Sequence, residues 1–190
     1  LDIHASDDPA AQYCVERIPN PDMRSDHTFG LIRNWLRSCY DGHNESKACR
    51  YFKTTPLRLP TRIIDVSPTE DTAVIKLREG GTESGLYTAL SYCREEGGGG
   101  QQPQATNSAN IQEYFNEIPL SILPQSVQNA AFVTQKLGLR YLWIDAFCII
   151  QDSQEDKDKE IARMDRVYGG AYLTIAAASA RTCHNGFLEP

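Results

Sequence analysis

Apolar positions run through the chain in three successive patterns. Residues 26–40 place Leu31, Ile32, Trp35, Leu36 and Cys39 on one face at 3.6-residue spacing, which predicts a helix docked on the rest of the domain. Ser25 or Asp26 is placed to cap it, because a side-chain oxygen there can accept from unpaired first-turn amides. The preceding residues 1–25 are polar and broken by prolines, and read as an irregular lead-in. Two β-branched runs follow, 61–66 (TRIIDV) and 73–77 (AVIKL), separated by a turn-rich linker. They predict an antiparallel hairpin. Gly80, Gly81 and Gly85 mark the next turn, and 86–93 (LYTALSYC) predicts a third strand.

The second half changes period. Residues 124–137 carry Val127, Ala130, Ala131, Thr134 and Leu137 on one face, with Pro124 suited to the first turn and Gly138 to the C-terminal cap. Residues 141–146 (YLWIDA) are nearly all apolar, as in a strand buried on both faces. A single helix is expected over 155–168, with Ile161, Met164, Val167 and Tyr168 inward and Gly169 and Gly170 ending it. On that helix Glu160, Arg163, Asp165 and Arg166 read as a solvated, charge-paired face. Residues 171–178 (AYLTIAAA) predict another strand buried on both faces. Strand and helix alternating in this way predicts an α/β fold: a parallel sheet flanked by helices, preceded by a helical extension and a β-hairpin. The expected division is an extension over 1–58 and a domain over 59–190.

Open parallel sheets bind ligands beyond the C-terminal ends of their strands. Three such ends can be named: Ser91, Tyr92 and Cys93; Asp145 through Asp152; and Ser179 through Glu189. Asp145 follows Leu-Trp-Ile at a strand mouth, where a carboxylate must be solvated or hydrogen-bonded. The residues leave two roles open, a ligand-binding or catalytic carboxylate and a cap for its own loop. Cys148 lies in the apolar run Phe147–Ile150 without a nearby histidine, which favours a packed thiol over a nucleophile. Gln151 and Asp152 are polar loop residues suited either to a ligand or to capping the next helix. Residues 94–110, with four consecutive glycines, predict a surface loop, and no Lys-Ser or Lys-Thr pair makes them a phosphate-binding P-loop.

Composition narrows the class. At 190 residues, 41% hydrophobic and 23% charged, the chain is long enough for a real core. A net charge of −6 and no basic patch argue against nucleic acid. No stretch approaches the ~20 apolar residues of a membrane span. The six cysteines are widely spaced, and Cys93 and Cys148 adjoin apolar runs, so reduced thiols in the cytoplasm are expected. Cys39, His43 and Cys49, with Cys14, make a poor zinc set, and no metal site is expected.

The segments LPTRIIDV, LYTALSYC, IPLSILPQSVQNAAFVTQKLGLRYLWIDAFCIIQD and EIARMDRVYGGAYLTIAAASA, taken in order over residues 59–190, resemble the fungal heterokaryon-incompatibility (HET) domain. The resemblance implies a role in fungal self/non-self recognition and the death of fused, incompatible cells. It also implies a distant likeness to Toll/interleukin receptor (TIR) domains, with a flavodoxin-like sheet. Some TIR domains cleave NAD between nicotinamide and ribose, and others only assemble. NAD is therefore implied as a substrate, with no resident cofactor, and the implied partners are further copies or other cell-death signalling domains. Carried over by position, Ser91 and Tyr92 match the exit of the first parallel strand. Asp145 matches the exit of the second, and Cys148, Gln151 and Asp152 the loop after it. Glu189 is the first carboxylate in the region after the third strand, where TIR enzymes carry a catalytic glutamate. The chain departs from the family's Ser-Tyr-Cys-Trp-Gly at Arg94 and Glu95.

Overall fold

The computed structural model describes residues 22–41, 58–67, 74–94 and 104–188. Helix α1 (Asp26–Asp41) is capped by Ser25, whose Oγ accepts from the Thr28 amide at 3.2 Å. Its docking residue is Phe29, 1% exposed and edge-on to Phe132 at 5.7 Å, with Ile32 packed one turn later. The expected face is rotated from the observed one, and Trp35 stands 67% exposed. Phe29 takes the contact because it is the aromatic that meets the ring of Phe132.

Strands β1 (Arg62–Asp65) and β2 (Val74–Glu79) form the expected hairpin, with Asp65 opposite Lys76. Gly80, which follows β2, is required by close approach. A Cβ there would lie 2.2 Å from the Pro60 carbonyl oxygen and 2.7 Å from Leu59 Cβ. Gly80→Ala is therefore expected to cost about 1–3 kcal/mol in urea unfolding, as overpacking does. A wild-type midpoint would show that the 58–61 segment yields freely.

Strand β3 (Tyr87–Ser91) leads through a short helix α2 (Ile111–Asn116), a two-residue strand β4 (Ile118–Pro119) and a 3-10 turn to helix α3 (Gln125–Lys136). Helix α3 ends as the glycine predicts. Gly138 takes φ +76°, its amide bonds Gln135 O at 2.9 Å, and Leu139 N bonds Thr134 O at 3.0 Å. This pairing satisfies carbonyls that the helix end leaves open. Strand β5 (Tyr141–Trp143), the short helix α4 (Asp145–Cys148), α5 (Gln154–Ile161), α6 (Met164–Gly170) and β6 (Leu173–Ala176) complete the order.

The sheet order is β4-β2-β1-β5-β3-β6. β3 lies between β5 and β6 and is parallel to both, while β1 joins β5 antiparallel. The fold is thus α/β with a mixed sheet, parallel in its second half and extended by the hairpin. Tyr87 and Thr88 are successive residues of one strand and so point to opposite faces. Thr88 Oγ1 meets Thr134 Oγ1 of α3 at 2.7 Å, and the Tyr87 hydroxyl donates to Val167 O of α6 at 2.6 Å. Helices therefore cover both faces.

Several expectations need correction. The strand over 141–146 stops at Trp143, and Asp145 opens a helix. The single helix over 155–168 is two helices, broken at Ala162 and Arg163, where Arg163 has φ −114° and ψ 0°. The break turns Ile161 outward, 56% exposed, and leaves Glu160 2% exposed rather than on a solvated face. Among the described strands β6 is the edge of the sheet, and Thr174 and Ala176 are exposed instead of buried. Cys93 is exposed too. In the 94–110 stretch Thr106 is fully buried. Its hydroxyl donates to Phe147 O at 2.7 Å and its amide to Ala146 O at 2.9 Å.

Candidate functional site at the strand ends

The chain leaves β3 toward α3 on one face and leaves β5 toward α4–α6, with α6 on the other face. Adjacent parallel strands whose exits part to opposite faces open a crevice at their carboxyl ends. Tyr92, Cys93 and Arg94 leave β3 there, Asp145 follows β5, and Ala177 N, after β6, bonds Ser91 O at 2.9 Å. The first two predicted strand ends and the start of the third thus converge on one place.

The centre of this site is an ion pair. Arg94 Nη2 lies 2.7 Å from Asp145 Oδ2, and both side chains remain partly exposed. Asp145 Oδ1 accepts from the Ala146 amide at 2.7 Å. One carboxylate oxygen therefore serves its own turn and the other faces a cation. Arg94 Nη1 also donates to Gln151 Oε1 at 3.3 Å. The Gln151 amide donates to Ile149 O at 2.9 Å and Asp145 O at 3.2 Å, so Gln151 is held by its own loop. The Arg94 carbonyl accepts from Cys183 N at 3.3 Å, which ties the segment after β6 to the same mouth.

Two phenols complete the wall. Burial pushes the Tyr92 hydroxyl well above its ordinary pKa, and the negative Asp145 adds to this while Arg94 opposes it. Tyr168 is pushed up to about 12, again by burial first and Asp145 second. Its hydroxyl donates to Leu90 O at 3.2 Å, and its ring stands edge-on to Trp143 at 5.4 Å. Both phenols are neutral hydrogen-bonding groups at neutral pH.

The remaining predicted residues lie apart or outside. Cys148 is 1% exposed, and burial pushes its thiol up to about 12, so it is a neutral core group at neutral pH. Asp152 Oδ1 accepts from Ser108 N at 2.9 Å and Ser108 Oγ at 3.1 Å, which directs it to the 104–110 segment. The helix that follows is capped by Ser153, whose side chain accepts from Asp156 N. Ser91 ends β3 exposed. Glu189 lies outside the described residues, as do His43, Cys49 and Cys14. Sequence reasoning missed Arg94 as a site residue. Its signals were a charge directly after the predicted strand and the departure from the family pattern there, and its partner lies fifty-one positions away.

A second charged cluster sits at the opposite end of β5. Asp65, 3% exposed, receives Arg140 Nη2 at 2.7 Å and Arg140 Nε at 3.2 Å to each oxygen. It also accepts from Ser67 N at 3.0 Å and Ser67 Oγ at 2.5 Å. Burial alone would raise this carboxyl, but Arg140 and Ser67 overcome it and hold the pKa at about 2. A depressed carboxylate contributes stability above its unfolded pKa and loses it as pH falls through the folded one. Asp65 is thus expected to contribute about 2.5 kcal/mol at neutral pH, lost between about pH 4 and pH 2. Comparing acid unfolding of wild type and Asp65→Asn checks this, since the variant should lack that portion of the pH dependence.

Among the described residues no group of three or more His, Cys, Asp or Glu side chains is placed to hold a metal, and no helix is long and apolar enough to cross a membrane. Neither the curated proteins nor the solved structures searched contain a match to this chain. The family model described as heterokaryon incompatibility protein (HET) matches residues 87–189, a span that begins at the first parallel strand. That span holds Tyr92, Arg94, Asp145 and Gln151 and covers more than half of the sequence, and on it the chain belongs to the heterokaryon incompatibility (HET) family.

Proposed function

We propose that this HET domain signals cell death in fungal self/non-self recognition by hydrolysing NAD at the strand-end crevice. The observation that carries this reading is the Arg94–Asp145 pair set between two neutral phenols where the exits of β3 and β5 part. In the reaction water attacks C1′ of the nicotinamide ribose and the bond to the nicotinamide nitrogen breaks. Nicotinamide leaves neutral, and a proton is released with ADP-ribose. A carboxylate beside the sugar stabilises the cationic ribosyl transition state or orients the water. Asp145 is the described carboxylate at the crevice suited to that role, and Arg94 is suited to the pyrophosphate. Purified protein, both dilute and crowded into an oligomer, should consume NAD and release nicotinamide. Absence of turnover in every assembled state overturns the enzymatic reading.

A second reading is a non-enzymatic assembly module. It is favoured by Ile161, a large apolar side chain 56% exposed on α5, the helix after the β5 loop. Concentration-dependent association in sedimentation, weakened by Ile161→Asp, is its expected sign. Gln151 is a poorer contact for a partner, because its amide is engaged by its own loop.

A further inference from the structure

The cluster around Asp65 has more cation than its carboxylate uses. Strand alternation buries Ile75 and Leu77 and turns Lys76 and Arg78 to the face on which Lys76 lies opposite Asp65. Arg140 and Ser67 occupy the Asp65 oxygens, and Arg78 reaches Asp65 only at 3.4 Å. Arg78 is shared with the half-exposed Glu83, also at 3.4 Å. Lys76, exposed, has no hydrogen-bond or ion-pair partner among the described residues. Arg140 stays 51% exposed despite its bonds.

Space lies against these cations. A cavity of about 360 Å³ is lined by Asp65, Ser67, Val74, Ile75, Lys76, Asn116 and Arg140. A second, of about 650 Å³, is lined by Lys76, Leu77, Arg78, Glu79, Gln112 and Phe115. Lys76 stands in the wall of both. A compact ammonium and a planar guanidinium facing one space, beside an amide and an apolar wall, match an anionic head on an apolar body. A phosphate offers acceptors in several directions to donors that approach from different strands.

We propose that this hairpin-side cavity binds a small organic phosphate, its phosphate between Lys76 and Arg140 and its body along Val74. The site lies at the N-terminal end of β5, whereas Asp145 lies beyond its C-terminal end, so it is distinct from the strand-end crevice. It does not rest on the NAD reading.

The test is calorimetric titration of the full chain with phenyl phosphate at low salt, with phenol as the control. The full chain carries Glu70 and Asp71 between the two hairpin strands, so any competition from them is included. Saturable binding is expected, absent with phenol, weakened at least about tenfold by Lys76→Ala, retained in Lys76→Arg and lost in Lys76→Glu. Lys76 is exposed and has no partner among the described residues, so Lys76→Ala and Lys76→Arg should keep the wild-type melting temperature, whereas Lys76→Glu, opposite Asp65, should lower it. No saturable binding to the full chain, or binding unchanged in Lys76→Glu, overturns the proposal.

Discussion

Arg62→Met is expected to lower the unfolding free energy by about 3–5 kcal/mol, the cost of leaving one member of a buried ion pair alone. Arg62 is 8% exposed and joins three segments. Its Nε donates to Cys148 O at 2.8 Å, and its Nη2 pairs with Asp156. The same Asp156 oxygen accepts from Ile150 N at 2.8 Å. Burial opposes the charge on Asp156, but Arg62 and that amide together hold its pKa below the usual carboxylate value. Removing the guanidinium strands a carboxylate and a carbonyl in the interior. Pairing Arg62→Met with Asp156→Leu should recover part of the loss, because no charge is then left alone, while Ile150 N and Cys148 O still lose their partners. Urea unfolding followed by tryptophan fluorescence reads both. Losses that simply add in the double variant would show that the two side chains act independently. The pair also fixes the β5 exit, so loosening it should disturb the loop that carries Gln151.

Asp145→Asn is expected to reduce NAD turnover at least about a hundredfold while leaving the melting temperature within a few degrees. The amide can still accept from Ala146 N, so the turn that opens α4 is preserved. What is lost is the charge facing Arg94. Arg94→Ala should act differently, raising KM for NAD more than it lowers kcat, because its proposed work is on the pyrophosphate. A fully active Asp145→Asn would reduce Asp145 to a cap of its own helix. The sequence left those two roles open; in the structure one oxygen accepts from the Ala146 amide and the other pairs with Arg94.

The α/β class, the hairpin, helix α3 with its glycine stop, and the three strands of the parallel half were legible in the sequence. Each rests on local periodicity or on a residue with a conformational speciality, such as Gly138 at φ +76°. Asp145 was legible for a similar reason, since a carboxylate ending an apolar run stands out. The break at Ala162 and Arg163 was not legible, because no glycine or proline marks it; the helix yields to the packing of α6 on Tyr87 and Trp143.

Tertiary structure alone decided which charges meet. Arg94 and Asp145, Arg62 and Asp156, and Asp65 and Arg140 are each separated by fifty or more positions, and a strand pattern carries no record of its partner. Burial was decided the same way at Thr106, Glu160 and Trp35, since composition predicts the average environment of a residue type and not the neighbour that covers it. Sequence thus determined most of the elements and named the strand ends as candidate sites. The order of the strands in the sheet determined which of those ends share a crevice, because only hydrogen-bonded neighbours bring their exits together.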